Sequence, residues 1–236
     1  MDGMFTIPTV PTVKGALQVY ASVTISGNVL IGVSASTPPV PGGTTAVGDI
    51  TVGETTVWDG GGDGQFWDDA RNWSGDALPQ AVSTVVIPAG VAVVHRQGNT
   101  SIYALRSEGI VTLASGSLAI AGMSLADRFV FNGGALTTNG ALTVTEAMTW
   151  TGGTIAGSGI KVISGTLDIS GTGLKIINGS TLELRGRTTW HGGVLDGQNG
   201  AVVRTAPGAT FDVQGDLLFR HYSSLGTRPT FDNQGT

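Results

Sequence analysis

Cysteine is absent from all 236 residues, which excludes a disulfide framework and any thiolate metal site. Charge is scarce too: Asp, Glu, Lys and Arg make up 12% of the chain, against about 25% in ordinary globular domains. The 12 Lys and Arg are spread thinly through a chain of net charge -5, so the basic footprint of a nucleic-acid binder is missing. Apolar runs such as residues 29–33 fall far short of the roughly 20 residues that span a bilayer. The opening MDGMFTIPTVPTVKG has neither a basic n-region nor an apolar h-region, so any export signal is expected upstream of Met1. What is abundant is glycine, at 38 residues, roughly twice its usual share. With 40% hydrophobic residues, the chain is too apolar for disorder and reads as a folded, β-rich protein with glycine corners.

An internal repeat points to the architecture. Residues 150–171, WTGGTIAGSGIKVISGTLDISG, return in degenerate form from Trp190 as WHGGVLDGQNGAVVRTAPGATFDVQG. A third opening, FNGGAL, begins at Phe131, and Leu142, Val144 and Met148 before Trp150 match Leu182, Leu184 and Thr188 before Trp190. A unit too small to bury its own apolar face must stack on its neighbours. From residue 101 onward, segments of three to five apolar-alternating residues are bounded by Gly, Asn or Ser, which suits the short strands of a parallel β-helix. The expected fold class is therefore all-β, a parallel β-helix over residues 83–236 with roughly 20 residues per turn and about seven turns. A β-sandwich is the alternative, but it favours longer strands and hairpins and leaves the echo unexplained. Trp150 and Trp190 are expected in equivalent inward or corner positions two turns apart.

Residues 1–52 differ in texture. Residues 16–25 alternate as a half-buried strand, 26–28 make a turn, and 29–34 supply a hairpin partner. Residues 5–7 and 47–52 are candidate outer strands, and PPVPGG at 38–43 breaks the sheet. Four strands fall short of the roughly seven in an immunoglobulin-like sandwich, so this is read as part of such a module.

Residues 53–82 form an entry segment rich in Trp, Gly and Asp. It carries WDGGGDGQFWDDARNW at 58–73, then Pro79, then a strand pair at 83–88 and 91–95. This motif resembles the entry to β-helical regions of very large bacterial extracellular proteins that carry immunoglobulin-like modules in tandem. The resemblance covers residues 58–94 as a motif. It implies an extracellular or bacterial cell-surface location and no particular activity.

Several constellations carry chemistry. Asp59, Asp63, Asp68 and Asp69 in a glycine-rich loop offer hard oxygen ligands to calcium, the one cofactor the sequence suggests; the competing reading is turn and capping aspartates. Trp58, Trp67 and Trp73 could form a sugar-stacking platform, or instead cover the first turn of the solenoid, as terminal repeats must. Asp168 and Asp212 share an outward slot, and Glu183, Arg185 and Arg187 alternate outward before Trp190. A polysaccharide lyase or hydrolase needs such groups to converge on one bond; a solvated strand face is the simpler reading. His95, His191 and His221 have no metal-ligand spacing. The expected function is a non-enzymatic structural or adhesive segment of a bacterial surface or secreted protein. The alternatives are a carbohydrate-binding or polysaccharide-active β-helix, and a subunit of a head-to-tail extracellular filament. Expected partners are neighbouring domains or subunits, met through the N-terminal strands and an open C-terminal turn, with glycans second. Neither nucleic acid nor a membrane span is expected.

Overall fold

The computed structural model describes residues 7, 17, 19–25, 28–34, 37–48, 50, 52–221, 224 and 226–236. They fall into two compact units, Met1–Glu54 and Thr55–Thr236. In the first, Tyr20–Ile25 pairs antiparallel with Asn28–Val33 in an uninterrupted register from Tyr20↔Val33 to Ile25↔Asn28. Gly53 and Glu54 pair with Ile31 and Leu30. The expected outer strand at 47–52 gives way to one at Gly53–Val57, the described residues before it being irregular. Of the strand expected at 5–7 only Ile7 is described, outside any strand. A hairpin, the short pairing of Gly53 and Glu54 and an antiparallel bridge between Leu17 and Thr37 are what the described residues show of the expected immunoglobulin-like module.

The second unit is a parallel β-solenoid of about seven turns. Among its described residues every pairing between strands is parallel, beginning with Thr55–Val57 on Thr84–Val86, with one isolated antiparallel bridge, Trp58 to Trp73, in the entry loop; this excludes the sandwich. Each turn has three faces. The first comprises Thr84–Ile87, the opening halves of Ala104–Leu113, Ser124–Phe131 and Leu142–Trp150, then Lys161–Ile163, Thr181–Leu184, Val202–Thr205 and Thr230–Asn233. The second comprises Ala92–His95, the closing halves of the same three long strands, then Thr166–Ile169, Arg187–Trp190 and Thr210–Val213. The third runs from Asn99–Ile102 through Ser117–Ile120, Ala135–Thr138, Gly153–Ala156, Lys175–Asn178 and Val194–Gln198 to Leu218–Arg220. Where the long strands bend between the first two faces, the register shifts, at Ser107/Ile110 and Val144/Ala147. Higher up, that corner is a glycine. A side chain on Gly165 would fall on the carbonyl of Glu146, and one on Gly186 on the carbonyl of Gly165, so only the smallest residue lets successive corners stack.

In-register stacking turns the sequence into columns. On the second face His95, Leu113, Phe131, Trp150, Ile169, Trp190 and Val213 lie one above another, at steps of 18, 18, 19, 19, 21 and 23 residues. The forty-residue echo is thus a two-turn period, and FNGGAL opens the turn below Trp150. Both tryptophans are buried. Trp150 stacks on Phe131, with centroids 6.1 Å apart and planes 12° from parallel. Each indole N–H donates to the carbonyl two residues on, Gly152 and Gly192, at 3.1 Å. A buried indole needs such an acceptor, which is why both copies keep the same Trp-x-Gly spacing. The column beside it, Val93, Val111, Phe129, Met148, Leu167, Thr188 and Phe211, completes that side of the core.

Candidate functional site

The entry segment is built around one side chain. Asn72 is fully buried, and its amide makes four hydrogen bonds. The oxygen accepts from the backbone N–H of Gly62 and Gly64, at 3.0 and 2.8 Å, and the nitrogen donates to Asp63 Oδ1 and to the Phe66 carbonyl, at 2.8 and 2.9 Å. Asp63 Oδ1 also accepts from the backbone of Gln65 and Phe66 at 2.8 Å. The Phe66 bond leads the causes that hold this carboxyl below its usual 3.8, ahead of Asn72 and Gln65. Asp69 caps the short 3-10 helix Ala70–Asn72 by accepting from the Arg71 backbone, and pairs with the Arg71 guanidinium at 2.9 Å; that guanidinium chiefly lowers its pKa. Asp68 is held low mainly by Arg96, which it meets at 3.0 Å, and it accepts from Gln97. Asp59 closes a local turn by accepting from Gly61 at 3.1 Å.

Each of the four aspartates singled out for calcium accepts from a protein donor, in a turn, a cap or an ion pair. Among the described residues no three His, Cys, Asp or Glu side chains gather into a metal-holding group.

The three tryptophans pack edge to face, Trp58 on Trp73 at 4.8 Å and Trp67 on Trp73 at 4.7 Å, and Trp73 Nε1 donates to the Trp67 carbonyl at 2.9 Å. All three are buried, so their rings face the core and offer no sugar-stacking surface. They cover the first turn. Val94 donates to the Gln65 carbonyl and Trp67 to the Val94 carbonyl, which pairs the loop with the lower edge of Ala92–His95. Trp67 also lies 5.8 Å from the His95 ring. His95 is buried, its Nδ1 against the Ser115 carbonyl at 3.0 Å and its Nε2 against Thr100 Oγ1 at 2.9 Å. Burial pulls its pKa below 6.5.

The outward slot shared by Asp168 and Asp212 is real: the register runs Asp168, Thr189, Asp212, which places the two carboxylates two turns apart. Asp168 accepts from Ser170 Oγ at 2.8 Å and meets His191 Nε2 at 2.7 Å. The carboxylate thus stands between the Ser170 hydroxyl and the His191 imidazole, one oxygen toward each. Asp212 meets Arg187 at 3.2 Å, and Glu183 meets Arg185 at 2.6 Å. The pairing of His191 with Asp168 is a contact between turns, and it follows from Ile169 lying under Trp190.

At the last turn the core opens. A cleft of about 340 Å³ is lined by Trp190, Leu195, Phe211, Phe219, Phe231 and Asn233 among others. Phe231 is 42% exposed although it packs on Phe211 at 5.0 Å. Among the described residues no helix is long and apolar enough to cross a membrane. No family model matches the sequence, and neither the curated proteins nor the solved structures contain a match to it.

Proposed function

We propose that this chain is a non-enzymatic structural or adhesive segment of a bacterial surface or secreted protein. The observation that carries the reading is the fate of the outer charges. Arg128 pairs with Glu146, Arg185 with Glu183, Arg187 with Asp212, Arg204 with Asp232 and His191 with Asp168. Four of these pairs tie neighbouring turns together and the Glu183–Arg185 pair lies within one turn, so the charges are spread along the stack rather than converging on a point where a bond could be attacked. The entry motif's resemblance to large extracellular proteins supports the location.

Incubation with a panel of polysaccharides tests the reading, with release of reducing ends and of unsaturated products both followed. No turnover is expected. Turnover that Asp168→Asn or Asp212→Asn abolishes would replace this reading with the polysaccharide-active one. The open apolar cleft at the last turn favours a second reading, a subunit that joins end to end. Such a heterologous contact builds filaments, and sedimentation over a hundredfold concentration range would reveal them.

A further inference from the structure

The chain has three lysines, at positions 14, 161 and 175, and two of them lie in the solenoid core, Lys161 2% exposed and Lys175 fully buried. Lys161 stands in a first-face column between Leu142 and Leu182. Its ammonium reaches the corner that joins the third face to the first. There Nζ meets the carbonyl oxygens of Ala156, Gly159, Gly157 and Thr138 at 2.6, 2.9, 3.1 and 3.5 Å, and Ser180 Oγ at 2.6 Å. Ser180 donates its own proton to the Gly157 carbonyl at 3.0 Å, which turns its lone pairs toward the ammonium.

Five oxygens surround a group with only three protons, and none belongs to a carboxylate. This is the environment that replaces the water shell of a dehydrated monovalent cation: neutral oxygen dipoles on several sides. Calcium would be poorly served, since it calls for carboxylates among its ligands. Lys175 has a looser counterpart at another corner, where Nζ meets the carbonyls of Gly173, Gly192 and Gly171 at 3.0, 3.3 and 3.4 Å.

We propose that the corner at residues 156–159 is a monovalent-cation site, filled from within by the Lys161 ammonium, that accepts a potassium ion when that ammonium is removed. The chain in effect carries its own cation at a corner where several carbonyls converge, those of Thr138 and Gly159 on buried residues and those of Ala156 and Gly157 on half-buried ones. Burial by itself lowers the Lys161 pKa to about 8, and the oxygens oppose that pull by favouring the charged form.

Two variants separate a cation site from simple loss of packing. Lys161→Ala opens the cage; Lys161→Met keeps the stem, and its terminal methyl blocks the space an ion would need. Melting is compared in potassium chloride and in choline chloride of equal ionic strength, choline being too large to enter. The native chain should melt alike in both. Lys161→Ala should melt lower in choline chloride and recover by roughly 5–10 °C once potassium reaches a hundredfold excess over its Kd. Lys161→Met should be destabilised in both salts without recovery. A Lys161→Ala variant indifferent to potassium, or an equal recovery by Lys161→Met, would overturn the site. Should neither variant fold, nitrogen-15 NMR of the native chain decides. The Lys161 nitrogen should appear at pH 7 as an ammonium with slowly exchanging protons. A neutral amine, or exchange as fast as in urea, would sink the proposal.

Discussion

The first and last turns of the solenoid treat the same physical problem differently. A terminal turn of a parallel stack exposes a row of backbone donors and acceptors and one layer of core side chains. At the first turn, Gln65 to Trp67 pair with Ala92–His95, and three buried tryptophans lie beneath the core. At the last turn, Thr236 accepts from Phe211 and donates to Ala209, but the layer of Phe211, Phe219 and Phe231 borders an open cleft. A lid here depends less on regular secondary structure than on a loop whose polar groups are all answered internally, as Asn72 answers Gly62, Gly64, Asp63 and Phe66.

The comparison is sharpest where apolar burial differs most. Trp73→Ala should cost about 3–5 kcal/mol, the range for removing a buried large aromatic. Phe231→Ala should cost about 1 kcal/mol, because much of its ring already faces water. Urea unfolding of the two variants side by side measures the difference, and equal costs would mean that the last turn is as tightly closed as the first.

A smaller effect comes from pH. His95 links the lid to the first turn and its pKa lies below 6.5 when folded, so the unfolded chain binds more protons on the acid side. Stability conferred by neutral His95 is fully present above pH 6.5 and lost as pH falls through the folded pKa. The groups facing it are the Ser115 carbonyl, the Thr100 hydroxyl and the Trp67 ring, with the Asp68 charge working weakly in the opposite sense. Asp63, Asp68 and Asp69 are held below 3.8, so their share is lost only at more acid pH. Protease sensitivity of the 58–73 loop should therefore rise as pH falls below 6.5 in the native chain and stay flat in His95→Gln. A rise of the same size in both would remove His95 from the lid.

The smallest effect is expected on the outer face. Glu183→Ala and Arg185→Ala should each stay within about 0.5 kcal/mol of the native chain, since exposed ion pairs contribute little. A larger loss in thermal melts would mean that ion pairs of the outer face, as well as the core, contribute to stability.

Much of the solenoid can be read directly from the chain. The matching of Leu142, Val144, Met148 and Trp150 with Leu182, Leu184, Thr188 and Trp190 is a true two-turn register, because inward positions repeat wherever columns must stay apolar. Third-face strands such as Ala135–Thr138 and Gly153–Ala156 are harder to see. Each buries few large side chains, Leu136 in one and Ile155 in the other, so alternation is weak. The buried lysines escape for another reason: Lys161 looks like an outward residue until its column neighbours, Leu142 and Leu182, show that its position is inward. The entry aspartates are legible as a cluster, but whether an aspartate takes a metal or a backbone N–H depends on where the loop puts its amides, which spacing does not record.

The stacking has a consequence for how the chain reaches its fold. Each pairing in the solenoid joins residues one turn apart, 18 to 23 positions along the second-face column. All-β proteins usually fold slowly because distant segments must meet, but here the typical separation is about a tenth of the chain, the local range of helical bundles. The entropy of closing each loop is nearly the same from turn to turn, since it grows only with the logarithm of length. Any turn can therefore serve as a nucleus, and each completed turn offers a template edge to the next.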